Sequence, residues 1–123
     1  MEVQEMPNLT VDDVLKKVAV GESLAKLNLE KIDLSGKDLM GINLMEANLQ
    51  DANLAGANLK NANLQAADLR GANLIGANLE MADLSKADLR WAKMQGANLR
   101  KANLKGIKQE KSKGYKQGDR WTP

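Results

Sequence analysis

Apolar and polar positions follow a five-residue beat over most of this chain. A Leu stands at 29, 34, 39, 44, 49, 54, 59, 64, 69, 74, 79, 84, 89, 99 and 104, and Met94 fills the one gap. Two residues before each of these 16 centres is Ala in twelve units, Leu27, Ile32 and Ile42 in three, and Lys37 in one. The residue between is Asn in ten units, Asp in five and Lys93 in one. Nothing is inserted or deleted between Leu27 and Gly106. A helix cannot use this beat: five residues turn an α-helix by about 500°, about 140° net, so the Leu side chains would point all round it and no apolar stripe would form. Ala-x-Leu is instead local strand alternation, with two side chains inward and one outward. The remaining two residues must turn a corner. Short extended pieces and tight turns at fixed spacing predict an all-β solenoid.

The glycines suggest the length of one coil. Gly36, Gly56, Gly76 and Gly96 hold the same place in the unit and lie 20 residues apart. That column predicts four units per coil, with one corner kept free of side chains. Gly41, Gly71 and Gly106 fall on other corners, so plain scatter is the competing reading.

The uninterrupted Ala-(Asp/Asn)-Leu-x-x units resemble the pentapeptide-repeat family, over roughly two thirds of the chain. The resemblance implies a right-handed four-sided β-helix with the Leu and the residue two before it inside. Sixteen units would then make about four coils: 27–46, 47–66, 67–86 and 87–106. Neighbouring coils would stack at ~4.8 Å, the usual strand spacing.

The ends differ from this body. In segment 1–26, residues 10–20 read as a helix: Val11, Val14, Leu15 and Val18 share a face, Thr10 is the N-cap, Asp12 and Asp13 sit in the first turn, and Gly21 stops it. A helix this short needs a surface, and the open top of the first coil offers one, so it is expected to act as a cap. Its polar face carries Asp12, Asp13, Lys16 and Lys17, which cancel; this argues against a membrane helix. Leu24 is in register, but Glu22 takes its inward partner site, so this unit reads as degraded. Lys37 puts a charge at an inward site and is expected to pair with Asp12, Asp13 or Glu22. After Gly106 the register falters, because Gln109 stands where Leu should be. The tail 107–123 is polar and basic and is expected to be irregular or partly disordered.

Composition adds exclusions. There is no Cys, no His and no Phe, and only two Trp and one Tyr. Disulfides and thiolate metal sites are therefore out, and Leu and Ala must fill the interior. No cofactor or metal is expected. No apolar run approaches the ~20 residues that span a membrane. The N-terminus lacks a signal-peptide core, so a cytoplasmic location is the expectation, a mature form already stripped of a targeting segment being the other.

Candidate chemistry is sparse. Asp68 and Asp88 should stack about 5 Å apart, a spacing retaining glycosidases use. With Arg70 and Arg90 they also read as a charge ladder on a convex surface, and no pocket is implied, so no enzyme is expected. The Asn and Asp columns read as turn formers. Arg70, Arg90, Trp91, Arg100 and Lys101 are the candidate interaction patch, because Trp and Arg are enriched at interfaces; a solitary exposed Trp is also ordinary.

The reading that results is a non-enzymatic structural or protein-interaction module with rigid flat faces. The family resemblance brings a second reading, a DNA-mimicking topoisomerase (gyrase) inhibitor of the quinolone-resistance type. Mimicry wants an acidic rod, and residues 27–106 hold nine acids and ten bases. A third is nucleic-acid binding through the basic end, where residues 70–123 carry twelve bases and five acids, with Tyr115 and Trp121 as stacking groups. A monomer whose tail folds back over the last coil is expected. A homodimer through the C-terminal end comes second, as the resemblance suggests.

Overall fold

A computed structural model describes residues 9–110 of the 123. The tail positions Tyr115 and Trp121, and with them the fold-back expectation, lie outside the described residues.

One unit accounts for the whole architecture, because each of its five backbone N–H groups has a fixed destination. In residues 67–71, Ala67 donates back to the Leu64 carbonyl (3.1 Å), closing a turn. Asp68 donates to Ala47 in the coil above (2.9 Å). Leu69 and Gly71 donate to Asp88 and Arg90 in the coil below (2.8 and 3.0 Å). Arg70 has no backbone acceptor; its N–H donates to the Asp68 carboxylate (3.2 Å). Buried or crowded donors must be satisfied, and this scheme satisfies them within the repeat. It explains why Asn or Asp precedes each Leu: the side chain accepts the one N–H that neighbouring coils leave over. The bond recurs from Asn28 to Asn103. Lys93 cannot make it, so the exposed Gln95 has no such acceptor.

Among the described residues coils meet through thirteen single-residue parallel bridges, each joining residues 20 apart, from Asn28–Asn48 to Asp88–Lys108. The chain is a β-helix solenoid that returns to the same side every 20 residues. The pairing extends one unit past each end of the Leu pattern. Leu24 donates to Asn43 (2.9 Å), and Leu89 donates to Lys108 (2.6 Å). Backbone pairing needs no Leu, so the bridges outlast the motif. The interior is a column of Leu and Ala: the Ala two before each centre is buried from Ala47 to Ala97, and so is each central residue from Leu24 to Leu99.

Every corner is left-handed, not only the glycine column. Positive φ occurs at Lys26, Lys31, Glu46, Asp51, Asn61, Ala66, Met81, Lys86, Trp91 and Lys101 as well as at the corner glycines. The glycine spacing matches the coil length, but the conformation belongs to all corners. Ten of them hold a residue with a Cβ in a region that disfavours it by roughly 1–2 kcal/mol.

The helix α1 spans Val11–Ala19. Thr10 caps it in a capping box with Asp13: Asp13 N–H donates to Thr10 Oγ1 (3.1 Å) and Thr10 N–H to Asp13 Oδ2 (3.0 Å). Val14 is fully buried in the solenoid core, and Leu9, Val11 and Val18 pack against it. No coil precedes Leu24, Leu29, Leu34 and Leu39, yet none exceeds 2% exposure; α1 supplies the missing cover.

Lys37 does not pair as expected. Asp13 is engaged by Thr10, and Glu22 by Lys17 (3.2 Å). Among the described residues no carboxylate lies within 4.0 Å of the Lys37 ammonium. The half-buried side chain reaches solvent along its aliphatic stem. Its charge only helps depress Asp33, whose main depressing cause is the Ser35 hydroxyl.

Candidate functional site

The coil places Asp68 above Asp88 and Arg70 above Arg90 in adjoining columns. In each unit Arg follows Asp by two residues, and the turn folds it back on the same carboxylate. Arg70 donates through Nε to Asp68 Oδ1 (2.9 Å) and through Nη2 to Oδ2 (2.7 Å). Arg90 does the same to Asp88 (2.9 and 2.6 Å). Arg70 Nε also lies 3.9 Å from Asp88 Oδ2, so this guanidinium sits between two carboxylates. Such two-point pairs are the stronger, geometrically fixed kind.

The electrostatics follow. Arg70 holds Asp68 below the ordinary carboxylate value of 3.8, and Arg90 does the same for Asp88. A glycosidase pair needs one carboxyl kept protonated near neutrality. Here both are pushed the other way, so this pair contains no general acid. The sign for stability is also fixed. A depressed carboxylate contributes fully above its unfolded value of 3.8 and loses that contribution as pH falls through the lower folded value. Asp88→Asn keeps the turn acceptor, as Asn does in ten other units, and removes only the ion pair. It should cost about 1 kcal/mol or less at pH 7. The difference from wild type should begin to shrink as pH falls below 3.8 and vanish once pH lies below the lower folded value; urea titrations at pH 7 and through the acid range check this.

Trp91 stands on the corner after Arg90. The residue is 51% exposed, its φ is +63°, and the Arg90 guanidinium carbon lies 5.5 Å from the ring centroid. Asp88 therefore fixes Arg90, and Arg90 in turn braces Trp91 by a cation–π contact. One coil above, Gly71 leaves the corner without a side chain, and the Asp51 carboxylate folds over the vacant place.

Of the five patch residues the sequence singles out, the structure brings together Arg70, Arg90 and Trp91. Arg100 and Lys101 lie ten residues further on, half of the 20-residue coil, and so occupy the opposite side. The columns themselves carry that signal, since residues sharing a side differ by twenty. A feature the sequence did not single out is a groove of about 500 Å³ on another side, with Met45, Gln65, Ser85 and Lys105 along it. Gln65 spans two coils there by donating to Asp83 (2.8 Å). Among the described residues no group of three or more acidic side chains could hold a metal ion, and no helix is long and apolar enough to cross a membrane.

Comparison with known proteins agrees with this geometry. No protein with a curated description matches the chain. Among solved structures, a pentapeptide repeat protein from the cyanobacterium Cyanothece 51142 is 42% identical. The match covers 74% of this chain and 62% of that one, with a TM-score of 0.72. One from the Arabidopsis thaliana thylakoid lumen is 36% identical over 72% of this chain and 58% of that one, with a TM-score of 0.53. This chain thus spans less than two thirds of either relative. A plasmid-mediated fluoroquinolone resistance protein also matches, at 19% identity over 73% of this chain and 65% of that one; its TM-score of 0.36 carries no argument here. A family model for pentapeptide repeats matches residues 23–61, 42–80, 52–90 and 82–106 with 8 copies. The five-residue beat, the Asx-closed turns and these matches converge: the chain belongs to the pentapeptide repeat family.

Proposed function

We propose that this chain is a non-enzymatic protein-interaction module. Its body is a right-handed, four-sided β-helix of about four coils that acts as a rigid support. Four left-handed corners per 20 residues and bridges at that same spacing support the four-sided reading. The observation that carries the functional reading is the Arg90–Trp91 corner. An indole is held in solvent at a backbone position unfavourable to a bulky residue, braced by an arginine that is itself locked by Asp88. Side chains fixed in advance lose little entropy on binding, which is what an interface anchor needs.

The topoisomerase-mimic alternative is disfavoured by charge, since residues 27–106 hold nine acids and ten bases. A tagged chain incubated with extract of its source organism should retain a discrete protein. Trp91→Ala should lose that protein, while Ile75→Ala, at an exposed site on a different side, should keep it. Equal retention by both variants, with unchanged circular dichroism, would refute the corner as an interface.

A further inference from the structure

Two departures lie close together in the last coil. Among the left-handed corners of the described residues Trp91 is the one that carries an aromatic side chain, and Lys93 replaces the Asn or Asp that closes the turn in the other fifteen units. The two lie two residues apart: Trp91 on the corner after Arg90, and Lys93 on the side that follows it, where it leaves the next turn, at Gln95, without its side-chain acceptor. Departures of this kind, when nothing nearby compensates, mark functional surfaces.

The last coil adds charge. Residues 89–110 contain six bases and one acid, whereas the equally long stretch 22–43 contains three bases and four acids. Among the described residues only Arg90 of these bases has a carboxylate partner within 4.0 Å. Among the described residues Lys93, Arg100, Lys101, Lys105 and Lys108 have none, and all five are exposed. The 20-residue coil distributes them round the rod. Five unpaired cations on one coil repel one another, a cost that an oppositely charged partner removes.

We infer that this end seats an acidic protein surface, with the Arg90–Trp91 corner as its anchor. The inference rests on the interaction reading above and names the chemistry of the partner. The arrangement suits a broad protein surface better than a nucleic-acid strand. A strand tracks a stripe of cations along one side, with several aromatic platforms. Here the cations encircle the rod, and Trp91 is the one aromatic residue among those described.

The test uses the full chain carrying Trp121→Phe, so that Trp91 is the sole tryptophan. It is titrated with poly-L-glutamate, and separately with a twenty-residue oligothymidylate. Polyglutamate should change the Trp91 emission and bind more weakly as salt rises. The combined variant Lys93→Asn, Lys101→Glu, Lys105→Glu should lose about tenfold or more in affinity. Its melting temperature should rise, because Lys93→Asn restores a turn bond and the other changes relieve repulsion; lost binding would then not be lost folding. No polyglutamate binding at low salt would overturn the acidic partner while leaving the corner reading intact. Tighter binding of oligothymidylate would also overturn it, in favour of nucleic acid. Polyglutamate binding that leaves Trp91 emission unchanged and survives Trp91→Ala would uphold the acidic partner and remove the corner as its anchor.

Discussion

Leu69→Ala is expected to destabilise the solenoid by about 2–5 kcal/mol, read from urea unfolding followed by circular dichroism. Leu69 is completely buried and has coils both above and below, so the surrounding backbone cannot collapse into the vacancy. Its N–H donates to Asp88 and its carbonyl accepts from Ala72, which pins the Cα on both sides. The companion change, Ala72→Leu, tests the same interior from the other direction. Ala72 is also fully buried, and added methylenes have nowhere to go within a coil spacing set by hydrogen bonds. A loss of under ~0.5 kcal/mol from both changes would contradict the inward assignment of these positions.

Val14→Asp should have the second large effect. Val14 is the fully buried residue of α1, and undocking the helix gives up at least about 2 kcal/mol of apolar burial. A buried unpaired carboxylate is costlier still, so the helix should leave instead of burying it. Its departure exposes the Leu24–Leu39 level and unpaired backbone, a surface prone to edge association. Light scattering should show concentration-dependent assembly in the variant. A variant that stays monomeric with wild-type stability would show that α1 is not a lid.

Much of this architecture is legible in the sequence because the repeat is redundant. Each Leu repeats the evidence for the inward position, and each Asn or Asp repeats the evidence for a turn. The helix over 10–20 was legible for a different reason, its capping residue and apolar spacing; Thr10 and Val20 prove to be its caps. What was not legible depends on single side chains. Lys37 has no duplicate, and the local Thr10–Asp13 and Lys17–Glu22 contacts that occupy its expected partners follow no periodic rule. The glycine column pointed to one special corner, because sequence shows where glycine is and not where other residues accept the same conformation. Arg100 and Lys101 belong to the candidate patch by residue type alone, and a 20-residue coil puts them on the side opposite Arg90 and Trp91.

The equivalence of the corners has a consequence for how such rods can change. Units with a coil on both sides direct their N–H groups in the same way, so the backbone does not register which side of the coil such a unit occupies. Adding one five-residue unit after Gly56 would leave every bond type intact but shift all later units by five residues of the 20-residue coil. Asp68 would then lie beneath Asn53 instead of Asn48. The Arg90–Trp91 corner would swing to a new bearing relative to α1, with no cavity opened and no core residue exchanged. Adding four units would restore the bearing and lengthen the rod by one coil, about 4.8 Å. The repeat thus works as a vernier: units set the angle between surface features at the two ends, and coils set the distance.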